Sequence, residues 1–188
     1  YDKYNLKNLY NEEIKIYNQI ELDNLSNFLD ENIYKIEKII NNFIRNIILI
    51  IEDEKVLDVS ISIKKKNYEN YINQKHLENS LVEVKDVFRE NYQDQIIMHM
   101  IIVNSDIKQN NLLLDNENNN DDYLFLEVNF ISIPNNFTLY FDKLLENHQI
   151  KIRRYMSGSY IKNYFGDGTI ELSEMGSKLN NGLNENEV

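Results

Sequence analysis

Three histidines, His76, His99 and His148, are the only imidazoles in the chain, and they fall in separate segments. A catalytic zinc held by histidine alone would need all of them. There is no cysteine, which excludes a thiolate nucleophile, a cysteine-ligated metal and a disulfide framework. His99 stands at the centre of the apolar run 96–102. It could act as a general base only with a carboxylate to orient it, and the sequence places none there. A partly buried strand histidine is the plainer reading. His148 closes a helical pattern, where an imidazolium meets the C-terminal helix dipole favourably.

Asp115, Glu117, Asp121 and Asp122 form an acidic cluster that could attract Ca2+. It lacks the ligand spacing and the glycine of an EF-hand loop, and reads as a solvated loop. Gly166-Asp167-Gly168-Thr169 offers Asp167 as a metal ligand, although an ordinary turn explains the same residues. Ser157-Gly158-Ser159 is not a nucleophile elbow, because Tyr155 and Ile161 stand where the outer glycines would be. The glycine patterns that cradle phosphates are absent. No catalytic, cofactor-binding or metal-binding residue is therefore assigned, and no cofactor is expected.

Lys and Arg number 20 against 31 Asp and Glu, for a formal charge of −11. That balance argues against sequence-independent nucleic-acid binding, which relies on cationic side chains displacing counterions. The local basic spots, Lys64-Lys65-Lys66 and Lys151 with Arg153 and Arg154, read as solvated strand ends. The absence of Ala and the excess of Asn and Ile are what an AT-rich genome writes at tolerant positions. The longest apolar runs fall far short of the roughly 20 residues of a transmembrane helix.

The elements that would position these residues follow from periodicity. Residues 1–22 are polar, with a short alternating strand around Ile14 and Ile16. From Asp23, a plausible N-cap, apolar residues recur every three or four positions through Phe43, Ile44 and Ile47, which predicts a long amphipathic helix over 23–46. Residues 47–51 and 56–63 predict two strands joined by a polar turn, the second alternating Leu57, Val59, Ile61 and Ile63 with Asp58, Ser60 and Ser62. A second helix is expected over 75–90. Residues 95–103, apolar on both faces, predict a central strand or one shielded by a partner. A flexible loop follows over 108–122, and then the clearest strand over 123–133. A third helix starts at Asn135 or Asn136, a last strand surrounds Ile150 and Ile152, and short helices lead to an unfolded tail from Asn180. The fold class is α+β: an antiparallel sheet with amphipathic helices on one face.

On the strand 123–133, Leu124, Leu126, Val128 and Phe130 share one face. Tyr123, Phe125, Ile131 and Ile133 lie on the other and are the candidate partner-binding residues. Two readings stand equal: the row is exposed for docking, or the N-terminal helix covers it.

The order of these pieces resembles FtsA, the actin-like family of bacterial cell division, whose inserted subdomain has the strand-helix-strand-strand (SHS2) topology. The matching stretches are the helix 23–46, the strand 47–51, the helix 76–88, Ile96-Ile97-Met98-His99-Met100-Ile101-Ile102, Phe125-Leu126-Glu127-Val128-Asn129-Phe130-Ile131, and the helix and strand over 137–152. They span residues 23–165, and the pilus protein PilM shares the topology. On this resemblance the divisions are a polar segment (1–22), a helix with a strand hairpin (23–63), an SHS2-like subdomain (64–165), and a short helix and tail (166–188). The family's phosphate loops and adenosine motif are missing, so nucleotide binding is not expected. The resemblance implies a non-enzymatic, cytoplasmic interaction module at the inner face of the plasma membrane. Its partners would be proteins, either division proteins or a second copy, with membrane association only through segments outside this chain. The alternatives are an α+β ligand-binding domain or enzyme using His99 or the acidic loop, and a PilM-like or structural subunit of a larger assembly.

Overall fold

The computed structural model describes residues 8–15, 22–66, 74–108, 123–166 and 170–183. The elements run α1 (Leu22–Ile40), β1 (Asn46–Ile51), β2 (Leu57–Lys66), α2 (Gln74–Asn91), β3 (Gln95–Lys108), β4 (Tyr123–Pro134), α3 (Asn135–Glu146), β5 (Lys151–Ser157), α4 (Gly158–Phe165) and α5 (Leu172–Lys178), then a π-helical turn at Leu179–Leu183. The protein is α+β, and its chain divides into two compact units. One is built from Tyr1–Asp53 and Asn136–Asn184, and the other on Glu54–Asn135, which interrupts the first in sequence.

In the unit Glu54–Asn135, three strands form an antiparallel sheet in the order β2-β4-β3. Alternation sends Val59, Ile61 and Ile63 of β2 and Leu126, Val128 and Phe130 of β4 to one face. There they pack with Leu81, Val84 and Phe88 from α2 and Met100 from β3. Phe88 is the centre of this core, stacked on Phe130 at 4.6 Å and on Tyr92 at 4.9 Å between ring centroids.

β3, expected from its apolar residues to be central, is instead an edge strand, and β4 is central. Its register slips at Met98 and again at Val103. A bulge re-phases the side chains there, and Met98, His99 and Met100 are buried in succession.

The other unit holds a two-stranded parallel sheet, β1 beside β5. The expected hairpin between the strands at 47–51 and 56–63 therefore does not form. The continuous apolar run of β1 suits a parallel sheet covered on both faces, and the strict alternation of β2 suits a sheet with one open face. Met156, Ile161, Met175 and Leu179 form the core here, with Ile48 and Ile50 packed against it. Leu179, 1% exposed, anchors the π-helical turn, so residues 180–183 are helical where an unfolded tail is expected from Asn180; the rest of that tail, 184–188, lies outside the described residues.

The first helix is also shorter than its periodicity predicts. Asn41 adopts φ 50°, and the Asn42 N–H reaches the Glu37 carbonyl at 3.2 Å, closing the helix as a Schellman motif. The Glu37 carboxylate accepts from the Ile44 N–H at 2.9 Å. Beyond this stop the apolar stripe loses its partner surface, and Phe43 is 75% exposed. The side chain of Asp23, the expected N-cap, lies outside the described residues, as does Ile16; Ile14 is in no regular element. Among the described residues no helix is long and apolar enough to cross a membrane.

Candidate interaction face of the three-stranded sheet

The face of β2-β4-β3 turned away from α2 is where the sequence placed its candidate residues. β2 contributes Ser60, Ser62 and Lys64, all exposed, because its apolar residues are committed to the α2 side. Register sets three rows across the sheet: Ser60, Asn129 and Ile101; Ser62, Glu127 and Asn104; Lys64, Phe125 and Asp106. The Ser60 hydroxyl donates to the Asn129 side-chain oxygen at 3.2 Å. Lys64 Nζ stands 4.2 Å from the centre of the Tyr123 ring, close enough for a cation–π attraction.

The four expected partner-binding residues divide. Tyr123 and Phe125 are half-buried, with ring surface left to offer. Ile131 and Ile133 are 4% and 0% exposed, so neither belongs to an open surface. The usable part of the row is its Tyr123 end, where aromatic rings adjoin a cation, carboxylates and hydroxyls. Such a surface can make contacts and discriminate charge; it pairs no nucleophile with a base.

Lys64, Lys65 and Lys66 are adjacent in the sequence and read there as one basic spot. Strand alternation separates them: Lys65 turns to the α2 side and forms an ion pair with Glu83, leaving Lys64 with the aromatic rings. Asn129 and Asp106 were not singled out, although the polar half of each alternating pattern already marked such positions.

No protein-family model matches the chain, and no curated protein matches it either.

The remaining chemical candidates are dispersed. His99 is 1% exposed in the second unit's sheet, and His76 is on α2. His148 belongs to the other unit, with its Nδ1 3.6 Å from Asp30 and its Nε2 buried without a hydrogen-bond partner. Among the described residues no group of three or more His, Asp or Glu could hold a metal ion. Asp115, Glu117, Asp121, Asp122 and Asp167 lie outside the described residues.

Ser157 is the N-cap of α4. Its buried hydroxyl accepts from the Tyr160 N–H at 3.3 Å and lies 2.9 Å from the Ser159 hydroxyl. Gly158 follows because Glu52 crosses directly above it; a Cβ there would fall 2.3 Å from Glu52 Cγ. The Glu52 carboxylate is paired with Lys162 at 2.6 Å. Gly166 takes φ 64° as the C-cap of α4, which accounts for the glycine that opens the Gly-Asp-Gly-Thr segment.

Among the described residues of this unit, one titratable group is strongly shifted. The Tyr155 hydroxyl is held well above the ordinary tyrosine value, first by burial, then by its hydrogen bond to Asp142 and by that carboxylate's charge.

Proposed function

We propose that this chain is a non-enzymatic protein-interaction module of the bacterial division machinery, similar to FtsA but without nucleotide binding. The supporting observation is the order of elements in the unit Glu54–Asn135, which takes in β2 and leaves out α3 and β5, unlike the subdomain 64–165 expected from the sequence. β2, α2, β3 and β4 run strand, helix, strand, strand, in a three-stranded antiparallel sheet with one helix against one face. That is the order for which the SHS2 topology is named, and it leaves the opposite face to carry Tyr123, Phe125 and Lys64. The competing acid–base reading draws no support from His99, which at 1% exposure gives a substrate no approach.

The module would act at the inner face of the plasma membrane, held there through its partners. The test is a fluorescent fusion of the full chain in its native cell, combined with affinity capture. A band at the division site and co-purified division proteins are expected. A diffuse signal with no division protein captured sinks the proposal.

A further inference from the structure

We infer that a second copy of this chain pairs antiparallel with the outer edge of β2, joining two three-stranded sheets into one of six strands. The inference is independent of the division reading and rests on three features of β2.

The first is its regularity. β2 ends the sheet, and among the described residues no strand pairs with its outer edge. Its register with β4 runs unbroken from Leu57 opposite Ser132 to Lys66 opposite Tyr123. The sheet's other edge, β3, is interrupted at Met98 and Val103. Bulges of this kind blunt an edge against strand addition, so β2 is the edge left as a template.

The second is incomplete burial. Val59, Ile61 and Ile63 pack against the α2 core but are only half-buried, because an edge strand has a neighbour on one side alone. An added strand would cover their open flank.

The third is self-complementary sequence. Asp58 lies near one end of β2 and Lys64 near the other, both exposed on the face away from α2. Parallel pairing of two copies would stack like charges. Antiparallel pairing about a two-fold axis at Ile61 sets Asp58 opposite Lys64 twice, and Ser60 opposite Ser62. On the α2 side the same axis sets Ile61 against Ile61 and Val59 against Ile63. Lys65, the one charge on that side, is already paired with Glu83 and falls opposite Leu57 at the margin.

The test is sedimentation of the full chain across a concentration series. The native chain is expected to dimerise, and Asp58→Lys or Lys64→Asp alone to weaken the dimer about tenfold by setting like charges opposite each other twice. The double variant Asp58→Lys/Lys64→Asp restores the opposite-charge pairs and should recover native affinity. Both positions are exposed, so matching melting curves separate lost pairing from lost folding. Because the chain has no cysteine, Ile61→Cys gives an independent readout. Directly opposed antiparallel residues have Cα atoms about 4.5–5.5 Å apart, within disulfide reach, so oxidation should link two copies. A chain that stays monomeric at several hundred micromolar overturns the inference, as does a dimer indifferent to both charge reversals.

Discussion

The Tyr155 hydroxyl on β5 donates to the Asp142 carboxylate on α3 at 2.7 Å, with the Thr138 carbonyl 3.2 Å away. The ordinary tyrosine value is 10.0, and burial together with Asp142 raises that of Tyr155. Below that pH both the folded and unfolded states keep the proton, and the stabilisation is whole. Above it the unfolded chain ionises first, so the folded state binds more protons and stability falls as pH rises. Tyr155→Phe should lower stability by about 1 kcal/mol at pH 8 and flatten this part of the alkaline decline. Urea midpoints of both proteins between pH 8 and 11 give the comparison; parallel curves would discount the Tyr155–Asp142 bond.

Phe88 carries the core beneath the three-stranded sheet, fully buried and stacked on both Phe130 and Tyr92. Phe88→Ala should cost about 3–5 kcal/mol, and Phe88→Leu distinctly less because volume is partly kept. Chemical denaturation measures both; equal costs would mean that ring stacking and cavity size do not govern this site.

Gly176 lets α5 settle against β1. A Cβ there would fall 2.6 Å from Ile50 Cδ1 and 3.8 Å from Ile161 Cδ1. Gly176→Leu should destabilise by about 2 kcal/mol through overpacking. Gly176→Ala should stay near neutral, since the gain in helix propensity of up to about 1 kcal/mol offsets a small shift of the Ile50 methyl. A leucine variant as stable as the native protein contradicts the close approach.

Removing the Ser157 hydroxyl uncaps α4, so Ser157→Ala should lower stability by about 1 kcal/mol. Loss of protection in the first amides of the helix, read by hydrogen exchange, would locate the effect; unchanged exchange there would assign it elsewhere.

For the interaction face, Phe125→Glu should abolish capture of protein partners while leaving the melting temperature within a few degrees, because the side chain is only half-buried and lies away from the α2 core. Undiminished capture would move the binding surface off this face.

Periodicity made the elements legible. The second helix was expected over 75–90 and runs Gln74–Asn91; the strand expected over 123–133 runs Tyr123–Pro134. The split of Val59, Ile61 and Ile63 from Ser60 and Ser62 was readable for the same reason, since alternation is a local property. What failed was non-local. Nothing within residues 47–51 says that Ile47 will meet Ile152, far along the chain, in place of the neighbouring strand. The end of α1 was missed because apolar spacing continues through Phe43 while the backbone turns at Asn41, a left-handed residue that the pattern of side chains does not reveal. The candidate face was half legible: alternation identified its residues, but the burial of Ile131 and Ile133 depends on tertiary coverage.

The interruption of one unit by the other bears on how the molecule assembles. The strands β2, β3 and β4 with α2 are contiguous in the chain, whereas β1 cannot find β5 until everything between Asp53 and Asn136 has been drawn into a loop. Collapse of that intervening stretch into its own globule would bring the two distant strands within reach, so the parallel pair is expected to form after the helix-backed sheet. Pulse-labelled exchange during refolding, with Phe130 amides protected before those of Ile50, is the signature of that order.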